Sequence, residues 1–231
     1  MRQARITIRL AKIRLWFIIV TPTLALLGFA SEVADHLYGF SKRDTIIRMF
    51  NMVMECNIPN WYASALLLAC AGLLTAIALA APPGKGGYRK HWAVLALLFV
   101  YISIDETVQL HELLNRPLRH AFDLGGVLYY AWVILAMGIV AVLAVAYPPF
   151  LLALSVRSRR RFVLAALLYV GGALGTEFYV NYWDSIYGTD PVYGMINIVQ
   201  ESMELSGLAV FFVALLGYMR ENFSGLHVIV E

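Results

Sequence analysis

Three stretches of this 231-residue sequence place acidic side chains inside apolar segments. The first reads Tyr101-Ile-Ser-Ile-Asp105-Glu106-Thr-Val-Gln109-Leu-His111-Glu112. The second is Gly175-Thr-Glu177-Phe-Tyr179, and the third is Gln200-Glu201-Ser-Met-Glu204-Leu-Ser-Gly207. Carboxylates beside an imidazole can bind a cation, or take up and release protons. In hydrocarbon each such acid costs about 2.5–3.5 kcal/mol even on the lenient insertion scale. Several together therefore require compensation by bound cations, shared protons, water or basic partners. No Lys or Arg stands in the middle of an apolar stretch, so cations or protons are the leading counter-charge.

Helical spacing groups these acids. Asp105, Gln109 and Glu112 are spaced by four and three and would share one face of a continuous helix. Glu201 and Glu204 are three apart and share another. Glu106 and His111 point away from Asp105 by about 100° and 120°. Asp105, His111, Glu177, Glu201 and Glu204 are the expected metal ligands. Glu106 or Glu112, if not bound to metal, could serve as a general base. His36, beside Asp35, is a further candidate ligand. His91, His120 and His227 read as interfacial.

Ligand type argues for a divalent metal, iron or manganese before zinc or calcium, because zinc prefers more His or Cys. Soluble di-iron bundles combine Glu from two helices with Glu-x-x-His from two others. Glu201-x-x-Glu204 has that spacing without the His, so the likeness is one of residue type only. His111-Glu112 is not the zinc-protease motif, since position 115 is Asn115. Cys56 and Cys70 read as isolated thiols. No serine elbow, nucleotide fingerprint or haem attachment motif occurs, and Gly84-Lys85-Gly86-Gly87 is a loop.

The elements that must carry these acids follow from composition. The chain is 61% hydrophobic and only 14% charged, with mean hydropathy +0.71. A soluble domain carries about 25% charged residues. The expected fold is therefore an all-α integral membrane protein, a single bundle of six transmembrane helices with the lipid bilayer as its partner. The spans are expected near 14–31, 61–81, 92–114, 127–147, 162–182 and 195–218. The first has a basic start and Gly28-Phe29-Ala30 before Ser31, as a signal peptide would; it is read as a retained helix. Pro59-Asn60, Pro82-Pro83-Gly84, Gly125-Gly126 and Pro148-Pro149 punctuate the others.

Basic residues set the orientation. One set of loops holds 13 of the 18, among them Arg2, Arg5, Arg14, Lys85, Arg89, Arg157, Arg160 and Arg220. The other holds Lys42, Arg43, Arg48, Arg116 and Arg119. The positive-inside rule then puts both termini in the cytoplasm of a bacterial-type inner membrane. The net charge of +3 is a topology signal and not nucleic-acid affinity. The acids lean the other way: 13 of the 15 fall in outer loops or outer helix halves, and only Glu221 and Glu231 on the cytoplasmic side. At 1.5 Å per residue, Asp105, Glu177, Glu201 and Glu204 reach one layer, roughly a third of the way in from the outer face.

The functional expectation is a metal-dependent protein with a carboxylate-rich site near the outer face, open to a lipophilic substrate from the bilayer if it is an enzyme. A cation or proton carrier using the same acids is the alternative, as is an accessory subunit whose acids meet partner subunits of a membrane complex. The inner halves of the spans hold almost no polar residues, which counts against transport. Tyr179, Tyr182, Trp183, Tyr187 and Tyr193 read as an interfacial belt. Residues 45–54 read as a short surface helix. Gly171, Gly172 and Gly175 are expected to permit close helix approach.

Overall fold

The computed structural model describes residues 9–38, 45–84 and 86–223. Arg2, Arg5, Lys42, Arg43, Lys85, His227 and Glu231 lie outside the described residues. Helices run as α1 (Leu10–Tyr38), α2 (Thr45–Phe50), α3 (Ile58–Ala80), α4 (Arg89–Val108), α5 (Glu112–Phe122), α6 (Val133–Ala146), α7 (Pro148–Ala153), α8 (Val156–Val170), a π-helical turn (Gly171–Thr176), α9 (Glu177–Tyr187) and α10 (Pro191–Asn222). Among the described residues there are no strands, so the all-α expectation holds.

Among the described residues, five helices are long and apolar enough to cross a membrane: α1, α3, α4, the continuous run from α8 through α9, and α10. This corrects the expected six. The fourth stretch, 127–147, opens with a 3-10 turn at Gly126–Leu128, and its helix α6 has only 14 residues. That is about 21 Å of helix, short of a hydrocarbon core of about 30 Å. The third stretch, 92–114, also divides. Its helix stops at Val108, and α5 begins at Glu112.

Local chemistry fixes the other ends. The Asn57 side chain caps α3 by accepting from the Asn60 amide at 2.9 Å, with Pro59 in the first turn. Asp190 does the same for α10, accepting from the Tyr193 amide at 2.9 Å ahead of Pro191. Ser155 caps α8 through the Ser158 amide at 3.2 Å. Pro82-Pro83 follows the end of α3, where a helix cannot continue.

α10 is the central element, packed against α1, α3 and the α8–π segment, while α3 and α4 form the most extensive pair. One apolar cluster joins Phe17, Leu24, Tyr62, Leu66, Leu67, Leu205 and Leu208. A second, around Trp92, Phe150, Phe162, Leu74, Ile77 and Leu215, closes the end of the bundle near Tyr88. Close helix approach is made by Gly172, one of the three glycines expected to permit it, and by Gly207, which is not among them. A Cβ on Gly207 would stand 2.7 Å from the Tyr169 amide nitrogen and 3.0 Å from the Ala165 carbonyl oxygen, so α10 lies backbone to backbone on α8. At Gly175 nothing lies within 4 Å.

Candidate functional site

The polar residues gather at the start of α3, the end of α4, the start of α9 and the first half of α10. The break at the end of α4 is built by Asp105. Its Oδ1 accepts the His111 amide at 2.8 Å, and its Oδ2 lies 2.8 Å from His111 Nδ1. Gln109 turns into the left-handed region at φ 58°, its amide donating to the Asp105 carbonyl at 2.7 Å. A side chain that captures downstream backbone competes with helix continuation. Asp105 and Glu112 therefore do not share a face of one helix, contrary to the spacing rule. Glu112 opens α5, where Asn115 Nδ2 donates to its Oε2 at 3.0 Å; Asn115 Oδ1 accepts the Trp132 amide at 3.1 Å.

His111 packs its ring 4.9 Å from Trp132, with Nε2 3.7 Å from Glu112 Oε1. Burial alone would lower the pKa of this imidazole. The hydrogen bond and charge of Asp105, with the charges of Glu112 and Glu55, outweigh it and hold the group above its ordinary value. A folded-state pKa above the unfolded one gives stability that is full below about pH 6.5 and lost as pH rises through the raised value. Thermal melts of wild type and His111→Gln across that window test this. The wild type is expected to lose its advantage over the variant as pH rises, and a constant difference would contradict the charged pair.

Glu106 turns from α4 toward α3. Asn60 Nδ2 donates to Glu106 Oε1 at 3.0 Å and to Glu55 Oε2 at 3.2 Å. Asn60 is 8% exposed, and its Oδ1 is buried without a hydrogen-bond partner. Glu106 also lies within electrostatic reach of Glu201 and Glu204. It thus belongs with the α10 acids, although spacing turned it away from Asp105.

The π-helical turn sets Glu177. Six residues, Gly171–Thr176, wind at the looser pitch immediately before it. Such turns inside α-helices frequently mark functional positions. Glu177 is buried, and its Oε2 accepts from Gln200 Nε2 at 3.1 Å, while Gln200 Oε1 is buried without a partner. Gly172 lies against α10, where an added Cβ would stand 2.8 Å from Glu204 Cγ and 3.0 Å from the Gln200 carbonyl oxygen. Glu201 and Glu204 share one electrostatic neighbourhood with Glu55, Glu106 and Glu177, and the Tyr169 ring borders it. Among the described residues, none of Glu106, Glu177, Glu201 and Glu204 has an ion-pair partner. The geometry is rich in oxygen acceptors and poor in donors.

A second polar group sits where α1 extends past its expected end at residue 31. Glu32, 3% exposed, accepts from Asn51 Nδ2 at 2.8 Å and lies 2.8 Å from His36 Nε2. Among the described residues, Glu32, Asp35 and His36 form the group of three whose carboxylate and imidazole atoms all lie within 4.8 Å of one another. Sequence reasoning paired His36 with Asp35 and missed Glu32. The signal was the Glu32–His36 spacing of four, which carries meaning only on a helix longer than the apolar stretch. Asn51, Asn60, Asn115 and Asn181, all buried, were also passed over.

No curated protein and no solved structure matches this chain. One family, described as "Domain of unknown function (DUF8692)", matches residues 15–218, which takes in all or most of each helix and every acid of the candidate site. The chain belongs to the DUF8692 family.

Proposed function

We propose that this protein binds a divalent cation in the carboxylate layer at the acidic end of a membrane-embedded bundle. One observation carries the reading. Glu106, Glu177, Glu201 and Glu204 lie in one electrostatic neighbourhood and meet no ion-pair partner among the described residues, while Asn60 and Gln200, which donate to Glu106 and Glu177, each keep a buried, partnerless amide oxygen. Buried acceptors without donors are costly, and a cation that draws these carboxylates toward it would offset that cost. The four glutamates are the ligand carboxylates, and the Asp105–His111 pair flanks them. Oxygen donors of this kind favour manganese, magnesium or calcium; with His111 engaged by Asp105, manganese fits better than iron. A bound cation supplies Lewis-acid chemistry. Glu112, half-exposed at the edge of the layer, is placed to act as a base toward a lipophilic substrate entering from the bilayer. The apolar packing of Leu67, Leu74, Ile77, Leu208 and Leu215 below the acids supports a site over a through-path.

The same reading orients the bundle. The basic loops face the cytoplasm with both termini, in a bacterial-type cytoplasmic membrane, and the acids face outward. This requires α6 and α7, Val133–Ala146 and Pro148–Ala153, together to return the chain across the membrane as a sixth, broken crossing between α4 and α8. Cysteine labelling in intact cells tests it. In a Cys56→Ser background, because Cys56 is itself exposed, an impermeant reagent is expected to label a cysteine replacing Asp123 and not one replacing Lys85; the reverse pattern contradicts the orientation. The cation itself is tested by thermal melts of chelator-treated protein. Added manganese is expected to raise the melting temperature, and no shift with manganese, iron, magnesium, calcium or zinc would defeat the proposal.

A further inference from the structure

Away from the glutamate layer, α5 carries a second charged arrangement. Arg116 and Arg119 line two open cavities at once, one of about 520 Å³ shared with His120 and Asp123, the other of about 470 Å³ shared with Glu112, Tyr130 and Asp184. Either volume falls within the range of small-molecule sites. Among the described residues neither arginine makes an ion pair. Arg119 instead sets its guanidinium 4.4 Å over the Tyr129 ring, which steers the charge without neutralising it. The two acids of the second cavity are anchored separately. Asp184 Oδ2 accepts from Tyr130 Oη at 3.0 Å, and Glu112 Oε2 accepts from Asn115 Nδ2 at 3.0 Å. One cavity thus holds a positive pair and a negative pair, with neither discharged against the other.

A ligand that satisfies both carries its own separated charges. Arginine forks match phosphate oxygens, and fixed carboxylates opposite suit an ammonium. Beside them on α5, Leu113 lines the same cavity and is 70% exposed, which offers apolar surface at its edge. We propose that this cavity binds the headgroup of a zwitterionic aminophospholipid, its phosphate on Arg116 and Arg119, its ammonium toward Asp184 and Glu112, and its acyl chains leaving past Leu113. This site shares Glu112 with the edge of the cation layer, but Arg116, Arg119 and Asp184 belong to it alone, and substitutions at those three test it.

The full chain in a phosphate-free detergent, titrated with dihexanoyl phosphatidylethanolamine, dihexanoyl phosphatidylglycerol and inorganic phosphate, tests the assignment. Saturable binding of the ethanolamine lipid is expected, at least five-fold tighter than the glycerol lipid and inorganic phosphate. Arg116→Gln and Arg119→Gln, made singly and together, are expected to weaken both lipids, the double variant at least ten-fold. Asp184→Asn is expected to reduce the ethanolamine lipid to the level of the glycerol lipid and leave the latter unchanged. Arg157→Gln, at the opposite end of the bundle, is the control. Unchanged binding in the single arginine variants overturns the site. Equal affinity for the two lipids overturns the ammonium half, and equal affinity for inorganic phosphate overturns the lipid as its source.

Discussion

Gly172→Ala is expected to destabilise the protein and disturb the acid layer together. The new methyl would stand 2.8 Å from Glu204 Cγ, 3.0 Å from the Gln200 carbonyl oxygen and 3.2 Å from the Glu204 amide nitrogen. The first of these atoms can swing aside, but the other two belong to the α10 backbone. The π-turn and α10 must therefore separate by a few tenths of an ångström, and overpacking of this kind costs about 1–3 kcal/mol. In a chain of this size that corresponds to a melting temperature lower by roughly 5 °C. The contact between Glu177 and Gln200 spans the same interface, so cation-induced stabilisation should fall as well. Gly175→Ala, three residues on and with nothing within 4 Å, should melt like the wild type. Equal melting of the two variants would show that the close approach at Gly172 is not structurally required.

Glu204→Gln is expected to leave the fold standing and abolish the response to cation. Glutamine keeps the volume and one oxygen and discards the charge, so insertion and packing on α8 and the π-turn should be retained. Glu204 lies within electrostatic reach of Glu106, Glu177 and Glu55, and losing one of four ligand carboxylates removes charge that a divalent ion requires. Binding to the native state adds about 2.7 kcal/mol when free cation is 100 times its Kd. That increment should appear in wild type and vanish in the variant. Glu221→Gln, at the other end of the 32-residue helix α10, should keep it. Glu221 accepts from Ser158 Oγ at 3.2 Å and lies 3.7 Å from Arg157, in a setting already supplied with positive charge. A full manganese shift in Glu204→Gln would remove Glu204 from the ligand set.

The apolar stretches were legible because a bilayer-scale helix announces itself by composition over about 20 residues. The breaks were not. Asp105 to Glu112 contains no Gly or Pro, and its interruption comes from one carboxylate folding back on the His111 amide and ring. That is a tertiary choice among several local hydrogen bonds, which spacing cannot rank. The fourth stretch failed for the opposite reason. Its residues 126–132 are apolar and aromatic, yet Tyr130 and Trp132 give their amides to Asn181 and Asn115 at 2.6 and 3.1 Å, so the chain there follows neighbouring asparagines and not a helix of its own.

Among the site residues, depth along the helices brought Glu177 and the α10 acids to one level, because 1.5 Å per residue is insensitive to small errors in helix ends. Phase was less faithful. Glu106 turns to Asn60 on α3 and lies within electrostatic reach of the α10 acids, and Asp105 is drawn away by His111. The π-turn before Glu177 adds a residue to the local repeat, so the facing of every residue beyond it departs from the 3.6 period. The run Gly171-Gly172-Ala-Leu-Gly175-Thr176 was the visible cue. Three glycines in six positions weaken an α-helix and permit the wider turn.

The most direct measurement is the metal content of the purified wild-type protein, determined by elemental mass spectrometry after dialysis against manganese and removal of free ion, with Glu204→Gln treated in parallel. About one ion per chain in the wild type, lost in the variant, is the expected result for a cation held by the four carboxylates. Wild-type protein that retains no divalent metal under these conditions would contradict it.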